Sequence, residues 1–194
     1  MAKMFPSSFD LQKPSYAEFL FNDQLQHGLS NAWIVFHSQA WLACVHSDAP
    51  KREGECDFLI MHKDHGIMIV EVKGGIAITH DPDQNTWYST TISHNVHKII
   101  DPYQQARTNK YALLELIRKQ SRFYGLNEYH KDVNICCAVC FPEIDHIEGF
   151  DVFCQNNKIT LLNPHLSNIE KALITILLRI LLWKEKEYYW YALI

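Results

Sequence analysis

The chain carries no surplus of basic charge: 18 Lys and Arg stand against 22 Asp and Glu, for a formal net charge of -4. That balance excludes the general cationic coat with which many proteins hold DNA non-specifically, so any nucleic-acid contact must be local. The opening stretch Met1-Ala-Lys-Met-Phe-Pro also lacks the continuous apolar run of a secretion signal, so none is expected. The longest apolar region, Ala172 to Trp183, is interrupted by Thr175 and Arg179 and is too short to span a bilayer. Internal repeats and low-complexity segments are absent as well. The expectation is a soluble cytoplasmic protein with no membrane partner.

Cysteine is present but not in a disulfide or zinc pattern. Of the six, Cys136, Cys137 and Cys140 lie in an apolar run that reads as a buried strand, and these thiols are expected in a reducing compartment. Cys137-x-x-Cys140 has the spacing of half a zinc site, and no second pair follows it. At 194 residues with 47% hydrophobic and 21% charged residues, the chain is large enough to close a core as one compact domain, residues 1–194.

Ser15-Tyr16-Ala17-Glu18 after Pro14 is a capping-box pattern, and Tyr16, Phe19, Leu20 and Leu25 follow at helical spacing up to Gly28. Ala32 to His37 and Trp41 to His46 suggest two strands, or one with an irregular continuation; Ser47 to Gly54 reads as a loop. Cys56 to Met61 and Ile67 to Lys73 are strand-like and are joined by a polar turn ending at Gly66, a hairpin signal. Gly74-Gly75 ends the second strand, and Thr79 to His97 reads as a loop or ragged hairpin around Trp87.

Asp101-Pro102 starts a second helix with Ala106, Leu113, Leu114 and Ile117 as its buried stripe, ending before Gly125. Val133 to Phe141 reads as a strand covered on both faces. Asp151 to Cys154 and Lys158 to Leu162 are short strand candidates. A last helix, 167–187, is capped by Ser167 or Asn168, with Ile169, Leu173, Ile176, Leu177 and Ile180 on one side. This order predicts an α/β sandwich: a central mixed sheet flanked by helices on both faces. The apolar terminus from Tyr188 to Ile194 is expected to dock on the core, on a partner chain as an oligomer contact, or on a neighbouring domain.

Alternation along a strand puts Glu71 and Lys73 on one face, and a hairpin turning near Asp64 and His65 brings Asp57 opposite Glu71 to within about one residue. Two carboxylates offer hard oxygen ligands to Mg²⁺ or Mn²⁺, and a lysine beside them suits phosphodiester chemistry. Short acid-x-lysine matches are common, and by itself the tripeptide more often describes a surface acid-lysine pair on a half-buried strand.

The wider pattern is more specific. Gly54-Glu-Cys-Asp57, then Gly66-Ile-Met-Ile-Val-Glu71-Val-Lys73-Gly-Gly, Trp87 and Asp101-Pro-Tyr-Gln-Gln105-Ala stand in order. The chain resembles the nuclease-related domain (NERD) family of the PD-(D/E)xK nuclease superfamily, most densely from Glu18 to Leu116. That resemblance implies a restriction-endonuclease-like three-layer sandwich that hydrolyses DNA with Mg²⁺ or Mn²⁺ in bacterial DNA processing or defence. It implies Asp57 and Glu71 as metal ligands, Lys73 as the catalytic lysine, Glu18 as an accessory acid and Gln105 as a helix-borne polar contact. Domains of this kind occur beside helicase or kinase-like modules. The alternative is a nuclease fold that has lost turnover and serves as a nucleic-acid or protein docking module.

Each assignment has a structural competitor. Glu18 also fits the reciprocal position of its capping box, and Gln104 closes an Asp101-x-x-Gln cap, which leaves Gln105 as the functional choice. Glu55 either adds a carboxylate beside Asp57 or solubilises a strand edge. Trp87 either stacks on a base or plugs a core edge. His94 and His97 read as ordinary polar loop residues. Arg107 and Lys110 share a helix face at i, i+3 and are placed to track a phosphate backbone, within the only basic-rich stretch, Arg107 to Lys131.

Overall fold

The computed structural model describes residues 1–7, 15–43, 52–123, 134–146 and 159–179. Among the described residues six strands form the central sheet in the order β1-β2-β3-β4-β8-β9. These are β1 (Lys3–Phe5), β2 (Trp33–Ala43), β3 (Arg52–His62), β4 (Gly66–Val72), β8 (Ile135–Phe141) and β9 (Thr160–Leu162). β2, β3 and β4 form an antiparallel meander, whereas β1 joins β2, β8 joins β4 and β9 joins β8 in parallel. The sheet is mixed, as the element order requires. Strand β1 has no counterpart in the sequence reading, since three residues are too few to show alternation.

Helices cover both faces. On one side α1 (Tyr16–Gly28) and the helix α4, described over 169–179, bury Ala17, Phe21, Leu25, Ile169, Leu173, Ile176 and Leu177 against Phe58, Val70 and Ala138. On the other, α2 (Pro102–Phe123) packs Tyr103, Ala106 and Leu113 against Ile69, Cys137, Val139 and Phe141. The short helical turn α3 (Asn163–Leu166) leads into α4. Burying a Leu- or Phe-sized side chain contributes about 1.5–3 kcal/mol, so these two layers carry most of the stabilisation.

The expected stripe of α1 is rotated. Tyr16 is 65% exposed and Phe19 is 39% exposed, while Ala17 and Phe21 are buried, Phe21 meeting Phe58 edge-on. The capping box fixes where the helix starts, and the face that docks follows from the i, i+4, i+8 run Ala17, Phe21, Leu25. Trp41 to Ala43 continues β2 without a second start, and β3 begins at Arg52, inside the expected loop. Residues 151–154, Ile180, the helix end at 187 and the apolar terminus lie outside the described residues.

A larger correction concerns 79–97. This stretch is an ordered three-stranded antiparallel sheet: β5 (Ala77–Asp81), β6 (Thr86–Thr90) and β7 (Val96–Ile99). Ile78 and Trp87 hold it to the α2-side core. Tight Asx turns, with Asp81 Oδ1 accepting from the Asp83 and Gln84 amides, connect polar strands that look like loop in isolation.

Cys136 and Cys140 face one core cluster and Cys137 the other. The Cys137-x-x-Cys140 pair therefore points to opposite faces of β8 and cannot share a zinc ion.

Candidate active site

The β3–β4 hairpin closes at the pair His62 and Gly66, and its ladder runs to Phe58 and Val70. One step further along this ladder Asp57 stands opposite Glu71, as alternation and turn length predict. Gly66 adopts φ +113°, and a side chain there would run into the carbonyl of Asn134, so only glycine makes this turn.

The neighbouring ladder is irregular at the same level. β2 and β3 pair through His37 with Phe58 and Gln39 with Cys56, with Ser38 between them at φ +49°. Below this step the sides change: Phe58 belongs to the α1-side cluster, whereas Cys56 belongs to the α2-side cluster. Distortions of this kind re-aim side chains at sites of function.

Glu71 is fully buried, and one of its oxygens, Oε1, receives the Lys73 ammonium at 2.7 Å. Its other oxygen, Oε2, is buried with no N–H or hydroxyl donor, and the Asp57 carboxyl is the group with which Glu71 hydrogen-bonds when one of the two carries the proton. Burial, and after it the Asp57 charge, push the Glu71 carboxyl up to about 8. Asp57 Oδ2 accepts the Val72 amide at 2.7 Å. Its carboxyl is raised by burial, against the lowering effect of that amide and of Lys73. Two acids thus compete for one proton in a dry place, the situation that a bound cation relieves.

Lys73 is 22% exposed, so its ammonium reaches solvent while remaining tied to Glu71. Behind it the backbone is constrained. The Lys73 amide donates to the Cys140 carbonyl at 3.0 Å, Gly75 N–H to Glu143 Oε2 at 2.8 Å, and Ser89 Oγ to the Gly74 carbonyl at 2.6 Å. Gly75 adopts φ +124°, and a Cβ there would strike Ser89 Oγ. The small sheet therefore grips the strand end that carries Lys73.

Glu18 completes its capping box with one oxygen and turns the other to the sheet. Its Oε1 completes the capping box, accepting Ser15 Oγ at 2.9 Å and Ser15 N–H at 3.3 Å. Its Oε2 lies 3.2 Å from His37 Nε2. Burial raises this carboxyl, but the hydrogen bonds from His37 and Ser15 outweigh it, and the net shift is downward. Glu18 also lies near enough to Asp57 for its charge to raise that carboxyl.

Gln105 is half-buried in the first turns of α2, with Oε1 buried and unpartnered. Asp101 Oδ1 caps this helix by accepting the Tyr103 and Gln104 amides. Arg107 is exposed and Lys110 half-buried on the same helix. Trp87 is removed from any base-stacking role: it is 5% exposed, with His80 and Tyr103 against its ring, and it serves as the core plug. The Glu55 side chain is exposed, while its carbonyl accepts Asn109 Nδ2 at 3.1 Å. His94 and His97 are exposed. His37 and Glu143 carry no signal in the sequence: one histidine in an apolar strand resembles a core residue, and Glu143 finds Gly75 only through the fold.

The donor set suits a hard divalent ion. Among the described residues no three His, Cys, Asp or Glu side chains form a cage. Mg²⁺, however, commonly takes one or two carboxylates and keeps its waters, and Glu71 Oε2 is a buried oxygen without a donor. Among the described residues no helix is long and apolar enough to cross a membrane. A family model described as nuclease-related domain matches residues 13–142, which include Glu18, His37, Asp57, Glu71, Lys73 and Gln105. No curated protein and no solved structure matches the chain.

Proposed function

The chain belongs to the nuclease-related domain family, of the general PD-(D/E)xK kind, and from this we propose that it is a metal-dependent nuclease cutting phosphodiester bonds in DNA. The observation that carries the reading is the buried Asp57 and Glu71 pair, with Glu71 Oε2 left without a donor and Lys73 at its other oxygen.

Asp57 and Glu71 would hold Mg²⁺ or Mn²⁺, which when bound supplies charge neutralisation at the phosphate and a more acidic water. Lys73 keeps its ammonium at the solvent edge of the pair, where it orients the attacking water and offsets charge on the phosphate oxygens. Glu71 holds Lys73 in that place through Oε1. The Val72 amide fixes Asp57, so neither ligand has to reorganise when the site is loaded. Gln105 Oε1 offers an acceptor to a water or substrate hydrogen, and Arg107 with Lys110 tracks the strand beyond the cut. A neighbouring helicase or kinase-like module would supply the remaining grip on DNA that this acidic chain lacks.

The test uses the purified chain with plasmid and single-stranded DNA in Mn²⁺. Cleavage by the wild type that falls by about a hundredfold or more in Lys73→Ala, with Mn²⁺ binding retained by calorimetry, is the expected result. Cleavage at the same rate in Lys73→Ala rejects the mechanism. A wild type that binds nucleic acid and Mn²⁺ but never cuts favours a docking module on a nuclease fold.

A further inference from the structure

His37 is 7% exposed in the middle of β2, paired with Phe58 and lying against its ring at 4.8 Å. A polar group so placed requires hydrogen-bond partners, and its Nε2 has two neighbours: Glu18 Oε2 at 3.2 Å and Ser38 Oγ at 3.1 Å. A carboxylate only accepts, so the ring hydrogen must be on Nε2 for the bond to Glu18 to exist. The other oxygen of Glu18 is occupied by Ser15. Each end of this carboxylate is therefore anchored, one by the start of α1 and one by β2.

That double anchoring exceeds what a helix cap needs. A capping box uses one oxygen of its acid, and the second is ordinarily left to water. Here the second is drawn inward to His37 on β2, near enough to Asp57 for its charge to act on that carboxyl. An acid near the Asp57 carboxylate is repelled by it, and without a tether an unbranched glutamate swings outward at little cost.

We propose that His37 is a positioning residue of the metal centre, holding the Glu18 carboxylate inward as a further negative charge near Asp57. The inference rests on the nuclease reading for its metal and goes beyond it by assigning His37, which the family pattern leaves without a role. His37 touches neither metal nor substrate and acts only through Glu18. Ser38, held at positive φ, sets its hydroxyl on the same imidazole nitrogen and limits how the ring can turn.

The experiment compares Mn²⁺ affinity by calorimetry with thermal stability for wild type, His37→Leu, His37→Gln, Glu18→Gln and the double variant His37→Leu with Glu18→Gln. His37→Leu should weaken Mn²⁺ binding about tenfold, and His37→Gln, which retains an N–H donor, should recover most of it. In the Glu18→Gln background His37→Leu should weaken Mn²⁺ no further, because its effect passes through that carboxylate. Both His37 variants should lose thermal stability to a similar extent, which separates packing from positioning. Unchanged Mn²⁺ affinity in a folded His37→Leu, or equal losses in His37→Leu and His37→Gln, overturns the role of His37 and leaves the nuclease reading intact. Absence of Mn²⁺ binding by the wild type overturns both.

Discussion

A carboxyl that holds its proton up to about pH 8 inside a protein and only to 4.5 outside ties folding to acidity in a direction opposite to the usual one. For Glu71 the folded form binds the proton more tightly than the unfolded chain, so its contribution to stability is complete below about 4.5 and is lost as pH rises through about 8. Metal-free protein should therefore lose stability across that window relative to Glu71→Gln, which has no such proton to lose. Mg²⁺ should restore the wild type by binding the deprotonated pair. Denaturant unfolding at a series of pH values, with and without Mg²⁺, gives the comparison; parallel curves for the two proteins would remove the buried acid pair as its cause. The same residues show what could be read in advance. Asp57, Glu71 and Lys73 converge through strand alternation and a five-residue turn, both local properties, whereas His37 meets Glu18 across 19 residues and only after α1 has docked on the sheet.

At the scale of elements, glycine positions decide whether the hairpin can present its acids. Gly66→Ala places a methyl against the Asn134 carbonyl at a φ that alanine avoids, and should cost about 2 kcal/mol or more in urea unfolding. Gly75→Ala should cost a similar amount and in addition slow cleavage, because Gly75 lies two residues from Lys73 in the grip of Ser89 and Glu143. A Gly75→Ala protein that is stable and fully active would show that the small sheet does not hold the catalytic strand. That sheet was the least legible part of the chain. Thr79, Thr86, Ser89 and Thr90 are as common in loops as in edge strands, and only Ile78 and Trp87 mark a buried side, too few to establish a period of two. The α1 stripe was misread for the opposite reason: Tyr16 and Phe19 are large and apolar, yet the cap fixes the helix start and the smaller Ala17 faces the core.

For the whole molecule the question is how a chain of net charge -4 approaches a polyanion. The α2 face is the proposed route, and Arg107→Glu with Lys110→Glu should weaken DNA binding at low salt and reduce its salt slope by about two, while leaving Mn²⁺ affinity as in the wild type. Identical slopes in a fluorescence anisotropy titration would move the DNA track elsewhere. Trp87→Phe, by contrast, should leave DNA affinity untouched, since that ring is inside the protein. The β5–β7 sheet, finally, leaves the central fold directly after Lys73-Gly-Gly and returns at Asp101, the cap of the helix that bears Gln105. Both attachments are fixed by the site, but the far tip, Pro82 to Asn85, is exposed. The crown is therefore free to carry a label: a dye-bearing cysteine in place of the exposed Gln84, whose backbone amide still meets Asp81, offers a handle for tethering the protein to a surface without touching Asp57, Glu71 or Lys73.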